Sequence, residues 1–210
     1  MEESRSDAGV KNQSRRRRGV LAHRRLRVCV IILLNGTFGI GKTTVARLMV
    51  PRLRRAVLFD PEIIGIAMQR TLRLGGRRLN DFQNLRLWRR FTVTGVRATR
   101  KAFPNIVIPM AISNPSYLDE LRDGVARFDP DVFHYCLRAP IEVVHQRLRL
   151  RGDDPERASW AYRRAAECCE LHVSDAFATH IDAADRSAEE IAEDIVERVN
   201  LSVNSRPGRI

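Results

Sequence analysis

Gly36-Thr37-Phe38-Gly39-Ile40-Gly41-Lys42-Thr43 matches G-x-x-x-x-G-K-[ST], a complete phosphate-binding loop of the Walker A type. A loop of this kind turns successive backbone N–H groups inward around phosphate oxygens, and the N–H of Thr44 continues the cradle. The glycines let oxygens approach without a Cβ in the way. The N-terminus of the helix that follows adds partial positive charge, and Lys42 adds a full one. Thr43 is placed to ligate Mg²⁺ through its hydroxyl. The chemistry this predicts is binding of ATP with Mg²⁺.

Two further sets of residues bear on what would be done with a bound triphosphate. Asp60 ends the apolar run Ala56-Val57-Leu58-Phe59, and it is the acid that closes a strand near the loop. There it would orient or deprotonate an attacking hydroxyl. Asp60 also reads as the N-cap of a helix opened by Pro61, and the two roles are compatible. Arg147, Arg149, Arg151, Arg157, Arg163 and Arg164 flank a break at Gly152-Asp153-Asp154-Pro155. Arg147 and Arg151 are four apart and share a helix face. A helix break bordered by arginines is the composition of a lid whose cations neutralise a transferring phosphoryl group. A solvated basic helix face is the competing reading. Lys42, Asp60, Arg147 and Arg151 are therefore the candidate catalytic residues, with Gly36 to Thr44 as the nucleotide cradle and Thr43 as the metal ligand.

The elements that must hold these residues alternate. Strands are expected over about 27–34, 56–59, 105–109, 131–137 and 179–181. Helices are expected from Lys42 to near Leu53, over Ile63–Gln69, Asp81–Ala102, Pro115–Arg127, Pro140–Arg151, Glu156–Leu171 and Ala188–Val199, with a turn at Gly75-Gly76. Alternation of this kind predicts an α/β fold of three layers, a mostly parallel five-stranded sheet with helices on both faces. Right-handed crossovers place the phosphate loop at the carboxyl edge of that sheet. The chain divides into a disordered basic tail (1–26), one phosphate-loop domain (27–199) and an irregular C-terminal tail (200–210).

The sequence has 210 residues, 44% of them hydrophobic, which supports a real core in one α/β domain. The formal net charge is +12, and half of the excess falls in residues 1–27. The Arg15–Arg18 run could serve nucleic acid or an anionic membrane, but a solvated tail is favoured and no nucleic-acid partner is expected. No apolar run has the length of a signal peptide or of a membrane-spanning helix. Cys29, Cys136, Cys168 and Cys169 lack Cys-x-x-Cys spacing. Cys29 and Cys136 lie in apolar runs and read as small core residues, and a reducing cytoplasm fits the pattern. No N-K-x-D guanine motif is present, and the strand at 105–109 ends in Pro109-Met110-Ala111-Ile112 with no carboxylate. Both features point away from GTPases and many ATPases and toward small-molecule kinases.

Several separated motifs carry a family resemblance. Asn35 to Thr43, Phe59-Asp60-Pro61-Glu62, Asp81-Phe82-Gln83 with Leu87-Trp88-Arg89, Ile108-Pro109-Met110, Asn114-Pro115, Arg147-Leu148-Arg149 and Ser159-Trp160-Ala161 together resemble the tunicamycin-resistance ATP-binding proteins, across about residues 28–199. The resemblance implies a kinase-like fold of the nucleoside and shikimate kinase type, ATP binding, and resistance to tunicamycin, with phosphorylation of the drug as its route. Tunicamycin is a uridine-containing, acylated sugar antibiotic. Phe38, Phe82, Trp88, Phe91, Pro109 and Met110 would supply an apolar wall for its chain, although Trp88 and Phe91 also read as core residues of a long helix. The leading expectation is thus an ATP-dependent phosphotransferase acting on a small molecule. The alternatives are a protein that binds ATP and drug without chemistry, and a nucleic-acid-associated ATPase. Oligomeric state is not legible in the sequence.

Overall fold

The computed structural model describes residues 29–74, 81–156 and 159–205. The basic segment 1–26, the Gly75-Gly76 turn, Arg157 and residues 206–210 lie outside the described residues.

Five strands form one parallel sheet: β1 (Val30–Gly36), β2 (Ala56–Leu58), β3 (Asn105–Pro109), β4 (Val132–Arg138) and β5 (His180–Asp182), in spatial order β2-β3-β1-β4-β5. The central strand β1 is buried along its whole length. Val30, Ile32 and Leu34 point to one side, onto Val45 and Met49 of α1 (Lys42–Met49) and Ile195 and Val199 of α7 (Ala188–Asn204). Ile31 and Leu33 point to the other, onto Trp88 and Val96 of α3 (Arg86–Arg100) and Leu118 and Leu121 of α4 (Pro115–Ala126). Burial on both faces is why this strand reads as an unbroken apolar run rather than an alternating one. The remaining helices are α2 (Pro61–Leu74), α5 (Ile141–Leu150) and α6 (Ser159–Leu171). The parallel sheet and its two helix layers are those of the expected three-layer α/β fold.

The differences from expectation have local causes. The first strand runs to Gly36 rather than stopping at Leu34, because Asn35 locks the extended backbone to the segment after β3. Its Nδ2 donates to Ile112 O (3.0 Å), and its Oδ1 accepts from Ile112 N (2.8 Å). β2 is half-buried, as an edge strand is, not fully buried. The expected helix 81–102 is two pieces. Asp81 caps a short 3₁₀ turn, Phe82–Asn84, by accepting from Gln83 N (2.9 Å), and Leu85 is extended before α3 begins. Gln83 holds that break in place, its side chain donating to Ala111 O (2.9 Å) and its carbonyl accepting from Arg89 Nη1 (2.6 Å). α2 spans Pro61–Leu74, longer than the expected 63–69. Residues 200–204 are helical rather than irregular: α7 continues to Asn204, since Val199 and Val203 stay on its buried face. Its start is fixed by a capping box between Ser187 and Glu190. Cys29 is exposed rather than part of the core, whereas Cys136 is buried as expected.

Candidate active site

The phosphate loop leaves the carboxyl end of β1 and enters α1 directly. Gly41 is the N-cap residue at φ 102°, with no side-chain cap. The first helical hydrogen bond is Val45 N to Gly41 O (3.0 Å). The N–H groups of Lys42, Thr43 and Thr44 therefore have no intrahelical acceptor and face the mouth of the loop. Lys42 is buried to 8% exposure, with Nζ donating to Thr37 O (2.9 Å) and lying 5.5 Å from the centroid of the Phe38 ring. An ammonium carries three donors, so others remain for phosphate oxygens. Burial lowers its pKa, and the nearby Glu62 carboxylate partly restores it.

A cleft of about 230 Å³ opens over this loop. It gathers Phe38, Gly39, Gly41, Lys42, Thr43 and Thr44 with Asp60 and Glu62 from the start of α2, Pro109 from β3, and Arg147 and Arg151 from the α5 end. Lys42, Asp60, Arg147 and Arg151, expected from separate stretches of sequence, thus line one cleft. Gly36, Thr37 and Ile40 support the loop from beneath. Thr37 Oγ1 donates to Ala165 O of α6 (3.1 Å), and Ile40 is buried.

Asp60 does accept the N–H of Glu62 (2.9 Å), so its capping role is present alongside its place in the cleft. Glu62 was not singled out by sequence reasoning. Its side chain faces the same cleft, and Oε1 is buried without a hydrogen-bond partner. Burial raises the Glu62 pKa, Lys42 opposes that rise, and Asp60 and Asp81 add to it. The sequence signal was the spacing Asp60-x-Glu62, which places two carboxylates at one helix start.

The arginines divide. Arg147 is anchored rather than free to swing: Nη1 donates to Ile40 O (3.1 Å), and Nη2 to Ala183 O (2.7 Å) and Ala184 O (3.1 Å). It ties the phosphate loop to the turn after β5. Arg151 is 60% exposed and paired with Asp153 (2.6 Å) beside the break that follows α5. Arg149 and Arg163 are exposed. Arg164 turns away from the cleft to bind Asp81 and Ser113, both at 3.0 Å. The expected apolar wall is not assembled. Phe38 and Pro109 line the cleft, but Trp88 and Met110 are core, Phe82 packs on Trp88, and Phe91 is 49% exposed on α3. Phe91 lies just off the buried stripe of α3 set by Trp88, Arg89, Thr92 and Val96, while the sheet and helix layers take up Trp88, Phe82 and Met110.

Thr43, Asp60 and Glu62 line the cleft with hard oxygen ligands, and the Glu62 Oε1 has no hydrogen-bond partner of its own. That donor set fits Mg²⁺, which keeps several waters and takes few protein ligands beside phosphates. Among the described residues no group of three or more His, Cys, Asp or Glu converges as a metal site.

The model of the family described as chloramphenicol phosphotransferase-like protein matches residues 29–200. Among solved structures, the tunicamycin resistance protein of Deinococcus radiodurans superimposes with a TM-score of 0.65 at 29% identity, over 81% of this chain and 95% of that one. A gluconokinase from Sinorhizobium meliloti 1021 does so with a TM-score of 0.60 at 16% identity, over 86% and 100%. A shikimate kinase from Acinetobacter baumannii, in complex with shikimate, has a TM-score of 0.59 at 16% identity, over 84% and 96%. The last two likenesses show the fold. Among curated proteins no relative matches. The family match covers most of the chain, and with it the chain belongs to the chloramphenicol phosphotransferase-like family of small-molecule kinases.

Proposed function

We propose that the protein transfers the γ-phosphoryl group of ATP to a hydroxyl of a small molecule, with tunicamycin as the acceptor. The observation that carries this reading is the single cleft in which Lys42, Thr43, Asp60, Glu62, Arg147 and Arg151 meet. Lys42 and the N–H groups of Lys42, Thr43 and Thr44 hold the triphosphate. Thr43 holds Mg²⁺ with help from the Glu62 carboxylate, and the metal, when bound, neutralises charge on the phosphate oxygens. Asp60 takes the proton of the acceptor hydroxyl as the new O–P bond forms and the bond to the leaving ADP oxygen breaks. One of its oxygens is held by the Glu62 N–H, which fixes the other. Arg151, exposed beside the helix break, closes onto the transferring group. Arg147 acts by positioning, since it grips the Ile40 carbonyl beneath the loop.

Tunicamycin as acceptor rests on the 29% identical tunicamycin resistance protein and on the motifs shared with that family. Among the described residues no helix is long and apolar enough to cross a membrane. The test is incubation of the purified protein with MgATP and tunicamycin, followed by mass spectrometry of the drug. A gain of one phosphoryl group, absent with Lys42→Ala, is expected. Drug that is bound but unmodified would point to protection by sequestration, and drug neither bound nor modified would reject tunicamycin as the acceptor.

A further inference from the structure

Beyond the phosphate cleft lies a second hollow of about 300 Å³, between α6, the capped turn at Asp81 and the start of α4. Its wall includes Asp81, Gln83, Ser113, Asn114, Trp160 and Arg164. Arg164 organises it: Nη2 donates to Asp81 Oδ2 and to Ser113 Oγ, both at 3.0 Å, while Nη1 is paired with Glu167 (2.7 Å). The Arg164 Nε is buried without a partner. The Trp160 indole is 45% exposed and meets Phe38 of the phosphate loop edge-on, with ring centroids 5.1 Å apart. Phe38 lines the phosphate cleft and Trp160 lines the hollow, so the two spaces adjoin across this ring pair.

We propose that this hollow is the recognition subsite for a polyhydroxylated ring of the acceptor, a sugar or sugar-like group, laid against Trp160 with its hydroxyls on Asp81, Asn114 and Arg164. A pyranose has an apolar C–H face and a rim of hydroxyls that both donate and accept. An exposed indole matches the face. Planar carboxylate, amide and guanidinium groups match the rim, as convergent polar groups in a small pocket do. Asp81, Ser113 and Asn114 keep oxygen lone pairs beyond the bonds they already accept, so a ring with hydroxyls gains partners there that a ring without them does not. The hollow is dominated by polar groups and is therefore a poor match for an acyl chain. This inference rests on the phosphotransfer reading, since it assigns the hollow to the acceptor.

The chain has two tryptophans, which makes the test direct. Trp88 is 1% exposed and reports the core, whereas Trp160 reports the hollow. The full-length protein is titrated with N-acetylglucosamine, with cyclohexanol as a control, and tryptophan emission is followed. A saturable change with the sugar is expected, absent with cyclohexanol and lost in Trp160→Phe. Asp81→Asn keeps an acceptor for the Gln83 N–H, so the turn stays capped, yet it should weaken the sugar about tenfold or more, as loss of a charged hydrogen bond does. MgATP affinity should be unchanged in Asp81→Asn. No saturable response, or a response undiminished in Asp81→Asn, would overturn the subsite. Sugar binding without phosphate transfer to tunicamycin or any other glycosylated acceptor would overturn the kinase reading and leave the ring-binding hollow standing. Transfer without sugar binding would overturn the subsite alone.

Discussion

Asp60, just before α2, and Glu62, in its first turn, reach one cleft in different surroundings. Asp60 is half-exposed, with one oxygen fixed by a backbone N–H and the other open to an acceptor. Glu62 is more enclosed, its pKa raised by burial, and it faces the buried Lys42 ammonium. Asp60→Asn preserves the cap, because an amide oxygen also accepts the Glu62 N–H. Turnover should then fall by about 10²–10⁴ with thermal stability unchanged, the range lost with a general base. Glu62→Gln should instead raise the Mg²⁺ requirement and the KM for ATP, because it removes the charge opposite Lys42. Steady-state kinetics with acceptor, ATP and Mg²⁺ varied in turn separate the two; equal losses of kcat in both variants would mean that the carboxylates act as a pair. Lys42 and Asp60 were legible in the sequence because each stands at a fixed place in a strand-turn-helix signal. Glu62 was not, since a glutamate in a first helical turn reads as a favourable partner of the helix dipole. Only the tertiary approach of α2 to the loop brings it into the cleft.

At the scale of elements, α5 does more than carry arginines. Gly39 of the phosphate loop has φ +79°, and a Cβ there would lie 2.7 Å from two side-chain carbons of Leu148 on α5. The helix therefore packs directly onto the loop backbone, and Arg147 on the same helix grips Ile40 O. Gly39→Ala meets both strain and overpacking, so a loss of about 1–3 kcal/mol is expected together with weaker ATP binding. Thermal unfolding and nucleotide titration measure the two. Gly41→Ala, at φ 102° with open space beside it, carries the strain without the clash and should be the milder variant for stability. Equal losses in the two would remove the packing argument. Strand and helix order was readable because apolar runs and turn residues alternate cleanly. The break at Leu85 was not, because it depends on Gln83 reaching Ala111 across the fold. The extension of α7 to Asn204 was missed for a different reason: the spacing of Val199 and Val203 was present in the sequence, but Asn200 and Ser202 between them masked it.

For the molecule as a whole, buried histidines tie stability to pH. His172 is 2% exposed, donates through Nε2 to Ile112 O (2.8 Å) and lies against the Phe177 ring. Burial is the main cause that lowers its pKa to about 4, and burial likewise lowers His134 to about 4. Ile112 O also accepts from Asn35 at the end of β1, so His172 helps fix the edge from which the phosphate loop departs. A histidine with a depressed folded pKa stays neutral where the unfolded chain takes up a proton. Between the unfolded value near 6.5 and about 4, the unfolded state binds more protons, and stability falls as pH falls. Each such histidine contributes at most about 1.4 kcal/mol per pH unit across that window and nothing above it. The net charge of +12 acts in the same direction as carboxylates protonate, and salt screens that part. Urea unfolding at pH 7.5, 6 and 5 in about 0.5 M NaCl, where the Debye length is only a few ångströms, should therefore show a steep loss below pH 6.5. His172→Gln keeps an amide donor for Ile112 O and has no proton to gain, so its stability should fall less steeply over that window. An identical slope in the variant would place the loss on the carboxylates and the net charge instead of on the buried imidazole.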